Sequence, residues 1–247
     1  FERFVGPEDN WLPPDNFQEH PAPVVAHRTS PTNMGLAVLA DLAAFDFGYI
    51  TAGQLVGRIT NTFRTMEGLE RYRGHFYNWY DTRSLKPLNP LYVSTVDSGN
   101  LAGHLLTLRS GLLALPDTPF PWTGLLGGIA DTLGVLEDVA GDAAPAGLTQ
   151  IRETLESASP DASPAAARAL LERLARYAEE VAASADGEPE SETARWARSL
   201  ALHCRAALDE LCFLAPWTSI DVAPDMPVGL SGLDAIPTLR ELAGLGA

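Results

Sequence analysis

SPAAARALLERLARYAEEVAASADGEPESETARWARSLALHCRAALDELCF, residues 163–213, decides the architecture. Pro164 follows Ser163 where a helix can start, because proline lacks the N–H that a first turn leaves unpaired. From there Leu170, Leu171, Leu174, Tyr177 and Val181 recur at helical spacing and make one apolar face over residues 164–183. Residues 186–190 read as a polar turn. A second helix over 192–213 carries Trp196, Leu200, His203, Ala207 and Leu211 on its own stripe and stops before Pro216. Amphipathic helices joined by so short a turn bury their stripes against each other and against further helices, which specifies an all-α layer.

Working outward, the texture stays helical. Residues 122–140 read as a helix weakened by several glycines, and 148–155 as a short one. Upstream, Ser30-Pro31-Thr32-Asn33 supplies cap chemistry for a helix bearing Met34, Leu36, Val38, Leu39, Leu42 and Phe45; Gly48 closes it. Thr51 opens another, with Leu55, Ile59, Phe63, Met66 and Leu69 at three- or four-residue intervals, released at Gly74. Leu101, Leu105, Leu108 and Leu112 stripe a further helix that Asp97 and Ser98 introduce, Asp97 reading first as its cap. Residues 217–232 look irregular, and 237–245 hold one short helix. The expected organisation is an irregular arm over residues 1–30, rich in Pro, Asn and Asp, followed by a helical domain over 31–247.

Composition narrows the function. A net charge of -15, with Lys86 the single lysine, excludes nucleic acid as a partner, because neutralising phosphates takes a basic surface. Anionic membrane surfaces are disfavoured for the same reason, and no apolar run approaches the eighteen or so residues a spanning helix needs. A neutral polyol is indifferent to net charge. The chain starts at Phe1 rather than Met, which suggests a segment cut from a longer protein. Cys204 and Cys212 lie on one helix roughly 12 Å apart by helical rise, too far for a disulfide. The five histidines and two cysteines form no paired ligand spacing, so no metal site is expected. The glycines at 124–128 lack the lysine and preceding strand of a phosphate loop, so no cofactor is expected either.

The exception to the helical texture is HFYNWYDTRSLKPLNPLYVSTVDSGN, residues 75–100, read as one short β-hairpin over 75–96 with Tyr92 to Val96 as its return strand. Alternation places Phe76, Asn78 and Tyr80 on one face and His75, Tyr77 and Trp79 on the other. Aromatic faces beside amides and carboxylates suit a sugar ring, which offers C–H groups to a flat ring and hydroxyls to planar donors and acceptors. Trp79 and Tyr80 beside Asn78, Asp81, Asp97 and Asn100 are the candidate sugar contacts. A hairpin whose aromatics plug a core is the equal alternative on composition.

Those residues, with NWLPPDNFQE at 10–19 and VAHRTSPTN at 25–33, resemble the glucoamylase-like segment of the cyclic β-1,2-glucan synthases over about residues 1–113. The resemblance implies part of an (α/α) toroid within a very large protein, at the cytoplasmic face of the bacterial inner membrane. It also implies a cyclising transglycosylation, with β-1,2-glucan and other domains of the same polypeptide as partners. Glycoside transfer needs two carboxyl groups flanking the bond. Asp15, Glu19, Asp81 and Asp97 are available in the matching stretch, none assignable by spacing, and the catalytic glutamates are expected beyond Ala247. His27 and Arg28 join the substrate-binding set, Arg28 as a bidentate holder of a carboxylate and His27 as a donor to a hydroxyl, with loop anchoring the alternative for both. His104 reads as a partly buried structural histidine. An endo-β-1,2-glucanase-like hydrolase and a non-catalytic helical packing module are the competing functions.

Overall fold

The computed structural model describes residues 3–119, 124–141, 145, 147–159, 162–185, 191–219 and 237–244. Among them run eight α-helices: α1 (Pro31–Asp46), α2 (Ala52–Gly68), α3 (Thr95–Ala114), α4 (Leu125–Ala140), α5 (Leu148–Glu156), α6 (Pro164–Ala185), α7 (Glu192–Leu214) and α8 (Leu239–Gly244). Six two-residue strands pair antiparallel: β1 (Phe17–Gln18) with β2 (Val24–Val25), β3 (Arg28–Thr29) with β6 (Tyr80–Asp81), and β4 (Arg71–Tyr72) with β5 (His75–Phe76). The fold is mostly α, as expected. No described helix is long and apolar enough to cross a membrane. The polar turn at 186–190 and most of the irregular stretch from Trp217 onward lie outside the described residues; Pro216–Ser219 forms a single 3-10 turn.

The chain forms two compact units, one of residues 1–45 and 52–115, the other of 46–51 and 116–247. In the first, Leu12, Met34, Met66, Leu69, Tyr80 and Leu101 make the core, with Phe63, Phe76, Tyr77, Leu85 and Leu105 packed against it. Gly35 on α1 lies under the His104 ring of α3, and Gly111 on α3 lies under Leu42. A β-carbon at either glycine would collide with that side chain. Asp41 on α1 accepts from Arg58 Nε on α2 at 2.6 Å; burial raises the Asp41 carboxyl above its ordinary value, and the guanidinium opposes this.

Four local expectations are corrected in this unit. Tyr92 to Val96 is not a strand: Ser94 Oγ accepts from Asp97 N at 3.1 Å and caps α3, so the chain is helical from Thr95. Asp97 is therefore not the cap. The hairpin sits earlier, at β4 and β5, whose turn places Arg73 (φ 50) and Gly74 (φ 86) in the left-handed region, the backbone that twists two strands into a tight two-residue connection. Gly74 is thus a turn residue, and the helix before it ends at Gly68.

In the second unit α7 packs against α4 and α6, and α5 against α4 and α6. Ala167, Ala175 and Ala178 on α6 and Ala194, Ala197 and Ala207 on α7 are all buried, and such small side chains let helix backbones approach closely. Gly48 (φ 76) sits against the backbone of Gly124 and of Gly128, where any β-carbon would collide with a carbonyl. His203 Nε2 on α7 donates to Gly48 O at 2.7 Å and fixes that turn. Burial pushes the Cys204 thiol up to about 12, which keeps it protonated and inert.

Candidate functional site

The three sequence motifs meet in the first unit. Strand β3 comes from the second motif and β6 from the third, and their register sets Arg28 opposite Asp81 and Thr29 opposite Tyr80. That pairing carries Trp79 to Arg28, whose guanidinium lies 4.8 Å from the indole centroid. Arg28 also donates from Nε (3.1 Å) and Nη2 (2.8 Å) to Asp15 Oδ2 of the first motif, while Asn33 Nδ2 donates to Asp15 Oδ1 at 3.3 Å. Asp15 thus holds one residue of the second motif on each oxygen.

A second chain of bonds runs from the indole. Trp79 Nε1 can only donate and an ionised carboxylate can only accept, so the Asn78 amide turns its oxygen to Trp79 and its nitrogen to Asp97. In that orientation Asn78 Oδ1 accepts from Trp79 Nε1 and from Tyr92 OH, each at 2.8 Å, and Nδ2 donates to Asp97 Oδ2 at 2.9 Å. Asp97 Oδ1 accepts from Thr32 Oγ1 at 2.7 Å, and Asn100 Nδ2 donates to Thr32 Oγ1 at 3.1 Å. Burial raises the Asp97 carboxyl, but hydrogen bonds from Ser94, Thr32 and Ser30 outweigh it and leave the group below its ordinary value. Asp97 stands ionised in a nest of hydroxyls with exposed Asn100 at its rim.

His27 lies in a separate clasp. Arg83 Nη2 contacts His27 Nε2 at 2.6 Å, and since a guanidinium only donates, Nε2 accepts. Nδ1 therefore carries the hydrogen and donates to Asp9 Oδ1 at 2.7 Å, an oxygen that also accepts from buried Thr82. Asn10 Nδ2 donates to the carbonyls of Thr82 (2.8 Å) and Arg83 (3.1 Å), tying the same loop to the arm.

Of the expected contacts, Arg28, Asn78, Trp79, Asp97 and Asn100 are joined in this way. Tyr80 is 0% exposed; its hydroxyl donates to Glu70 O at 2.6 Å and accepts from Tyr77 N at 2.7 Å, so it anchors the core. Asp81 Oδ1 accepts from Ser84 N at 2.7 Å, Ser84 Oγ at 2.9 Å and Arg83 N at 3.1 Å. These bonds, the Ser84 N–H foremost and against some burial, hold its carboxyl low and make it a turn residue. Glu19 is exposed. His104 Nδ1 is buried with no hydrogen-bond partner among the described residues. Asp9, Thr82, Arg83 and Tyr92 are not among the contacts expected from sequence; for Asp9 the one available signal is its place directly before the first motif. No group of three or more His, Cys, Asp or Glu side chains among the described residues is arranged to hold a metal ion.

No family model matches the chain. Over 139 residues it is 48% identical to Cyclic beta-(1,2)-glucan synthase NdvB of Rhizobium meliloti (strain 1021). The match takes in 56% of this chain and 5% of that protein, so it spans about a twentieth of the relative's length. The similarity to a cyclic β-1,2-glucan synthase that the three motifs suggest is thereby shown for a segment. A match of 139 residues also outruns the 113 over which the motifs are legible, so part of it falls in the helical stretch beyond them.

Proposed function

We propose that the first unit is a glucan-binding part of a cyclic β-1,2-glucan synthase, contributing one wall of the site where the chain is cyclised by transglycosylation. The observation that carries this is the joining of all three motifs, through Asp15, Arg28, Trp79, Asn78, Asp97 and Asn100, into one polar and aromatic surface. A core would need the rings alone, whereas here the ring of Trp79 is held among charges and amides, with Arg28, Tyr92 and Asn100 exposed beside it. Glucose hydroxyls fit such fixed donors and acceptors, and the part of the indole left open offers an apolar face. The first unit holds ten acidic and nine basic side chains, a balance compatible with an uncharged ligand. The catalytic carboxylates are assigned to segments outside this chain. With it goes the reading of the helices as part of an (α/α) toroid and of the whole protein as lying at the cytoplasmic face of the inner membrane.

Titration with linear β-1,2-glucooligosaccharides, followed by tryptophan fluorescence and calorimetry, tests it. Saturable binding in the millimolar range or tighter, lost in Trp79→Ala and Asn78→Ala chains that keep their helical circular dichroism, is the expected result. No heat and no fluorescence change up to tens of millimolar would reject it. One observation favours a packing module instead: α3 exposes Val96, Leu106 and Leu113 at 69%, 68% and 57%, an apolar face unlike that of an ordinary surface helix. A chain silent to sugars yet associating through α3, with association lost in Leu106→Glu, would establish that reading.

A further inference from the structure

The first motif supplies more than Asp15. Of NWLPPDNFQE, Trp11 and Asn10 offer their carbonyls to Thr62 (3.0 Å) and Thr65 (2.7 Å) on α2, and Leu12 enters the core. Pro13, Pro14, Asn16 and Phe17 do something else. With Phe4 and Val5 they line a shallow open hollow of about 180 Å³ in the arm. Phe4 and Phe17 stand with ring centroids 4.9 Å apart, tilted by 36°, under the Arg3 guanidinium, 5.2 Å from one ring and 5.6 Å from the other. The two proline rings of the lining have a fixed backbone that loses little freedom on binding. The one polar side chain of the lining is the exposed amide of Asn16.

We propose that this hollow is a second sugar subsite, taking a glucosyl unit of the same β-1,2-glucan that the Trp79 surface binds. The inference rests on the carbohydrate reading above. Its lining is that of a saccharide site in miniature: two aromatic rings and two proline rings for C–H faces, one amide for a hydroxyl, and no carboxylate that would have to be desolvated. The room is that of a single ring rather than a chain. Continuity argues for the same ligand, because Asp15, Asn16 and Phe17 are consecutive. Asp15 grips the Arg28 that lies over Trp79, while its next two neighbours turn into the hollow. A polymer long enough to span both would make the second contact at raised effective concentration, which increases affinity. A peptide would ask this hollow for main-chain partners, and it presents only one side-chain amide.

Chain length separates the two claims. Calorimetric titration of the full chain with linear β-1,2-glucooligosaccharides from the disaccharide upward should show affinity rising by about tenfold once the oligomer is long enough to reach both sites. Phe17→Ala should abolish that rise and leave the affinity for the shortest binding oligomers unchanged. Because Phe17 also packs against Phe4, Asn16→Ala is the companion variant: its exposed amide makes one long local contact, to Asp15 at 3.5 Å, so the arm keeps its fold and the rise should shrink. Binding that does not strengthen with length, or a rise that survives both variants, overturns the second subsite while leaving the Trp79 surface standing. Absence of binding at every length overturns both. Trp79→Ala should weaken all lengths together, which no damage confined to the arm would reproduce.

Discussion

The two units solve the problem of holding a chain together in opposite ways. The second unit uses repetition: alanine and leucine at helical spacing, close backbone approach along α6 and α7, and exposed local ion pairs such as Arg168–Glu172 and Arg195–Glu192. It also holds nearly all the acidity, 22 acidic against eight basic side chains. The first unit uses bonds between residues far apart in sequence, Thr32 to Asp97 and Asn10 to Thr82 among them, and is almost neutral. Repetition makes a stable scaffold, and the long-range bond from His203 to Gly48 serves a turn of that scaffold. Polar side chains held by long-range partners are what a binding surface needs, and they come with irregular backbone.

Breaking each unit should therefore take a different kind of substitution. In the second, the largest effect belongs to Gly48→Ala, which combines a left-handed backbone with collisions against the backbone of Gly124 and Leu125. A loss of about 3–5 kcal/mol is expected, at the upper end for single changes. Hydrogen exchange read peptide by peptide should show protection falling in α4 and α7, the helices that meet Gly48. Gly127→Ala on α4 meets open space and should stabilise by about 1 kcal/mol, so equal damage from both would refute the close-approach explanation.

Next in size comes Tyr80→Phe in the first unit. The ring stays, but the Glu70 carbonyl and Tyr77 N–H lose a buried partner, an effect of about 1–3 kcal/mol. Denaturant melts with exchange localised to residues around β5 and β6 would measure it. A neutral outcome would mean the core is held by apolar packing alone, as in the second unit, and the contrast between the units would weaken.

How much of this was legible follows the same division. The α6 and α7 helices were readable to within one or two residues, because a 3.6-residue period is a local signal that burial reinforces at every turn. The glycines of α4 are visible and read as weakness; the reason for Gly128, the backbone at Gly48, lies eighty residues away in sequence. In the first unit the motifs announced a polar aromatic surface, yet not its wiring. Ser94 takes the cap, its hydroxyl accepting from Asp97 N, and two cap-forming side chains three residues apart cannot be ranked from sequence. The pairing of β3 with β6 involves two residues on each strand, too few for any alternation to register. Arg73 at a left-handed turn position hid the true hairpin, since Asn or Asp is the usual signal there. Tyr80 and Trp79 are neighbours of like composition, and only the strand register sends one inward and the other to Arg28.

The smallest expected effect separates the units by acidity. His203 is the single histidine of the second unit, and burial holds its pKa below the ordinary 6.5 despite the bond to Gly48. Above pH 6.5 it is neutral folded or unfolded and stability does not depend on it. As pH falls below 6.5 the unfolded chain takes up a proton that the folded one refuses, so the second unit loses stability until the folded group itself titrates. One proton sets the slope at no more than about 1.4 kcal/mol per pH unit. Asp81 and Asp97 in the first unit have lowered values, so their contribution is complete above 3.8 and is lost only as the pH drops below it. Acidification from pH 7 should therefore loosen α7 before those two carboxylates fail, which exchange rates of α7 peptides between pH 7 and pH 5, corrected for intrinsic chemistry, would report. In His203→Gln, which keeps a donor for Gly48 and has nothing to titrate, that decline should vanish; if it persists unchanged, His203 is not the source of the second unit's acid response.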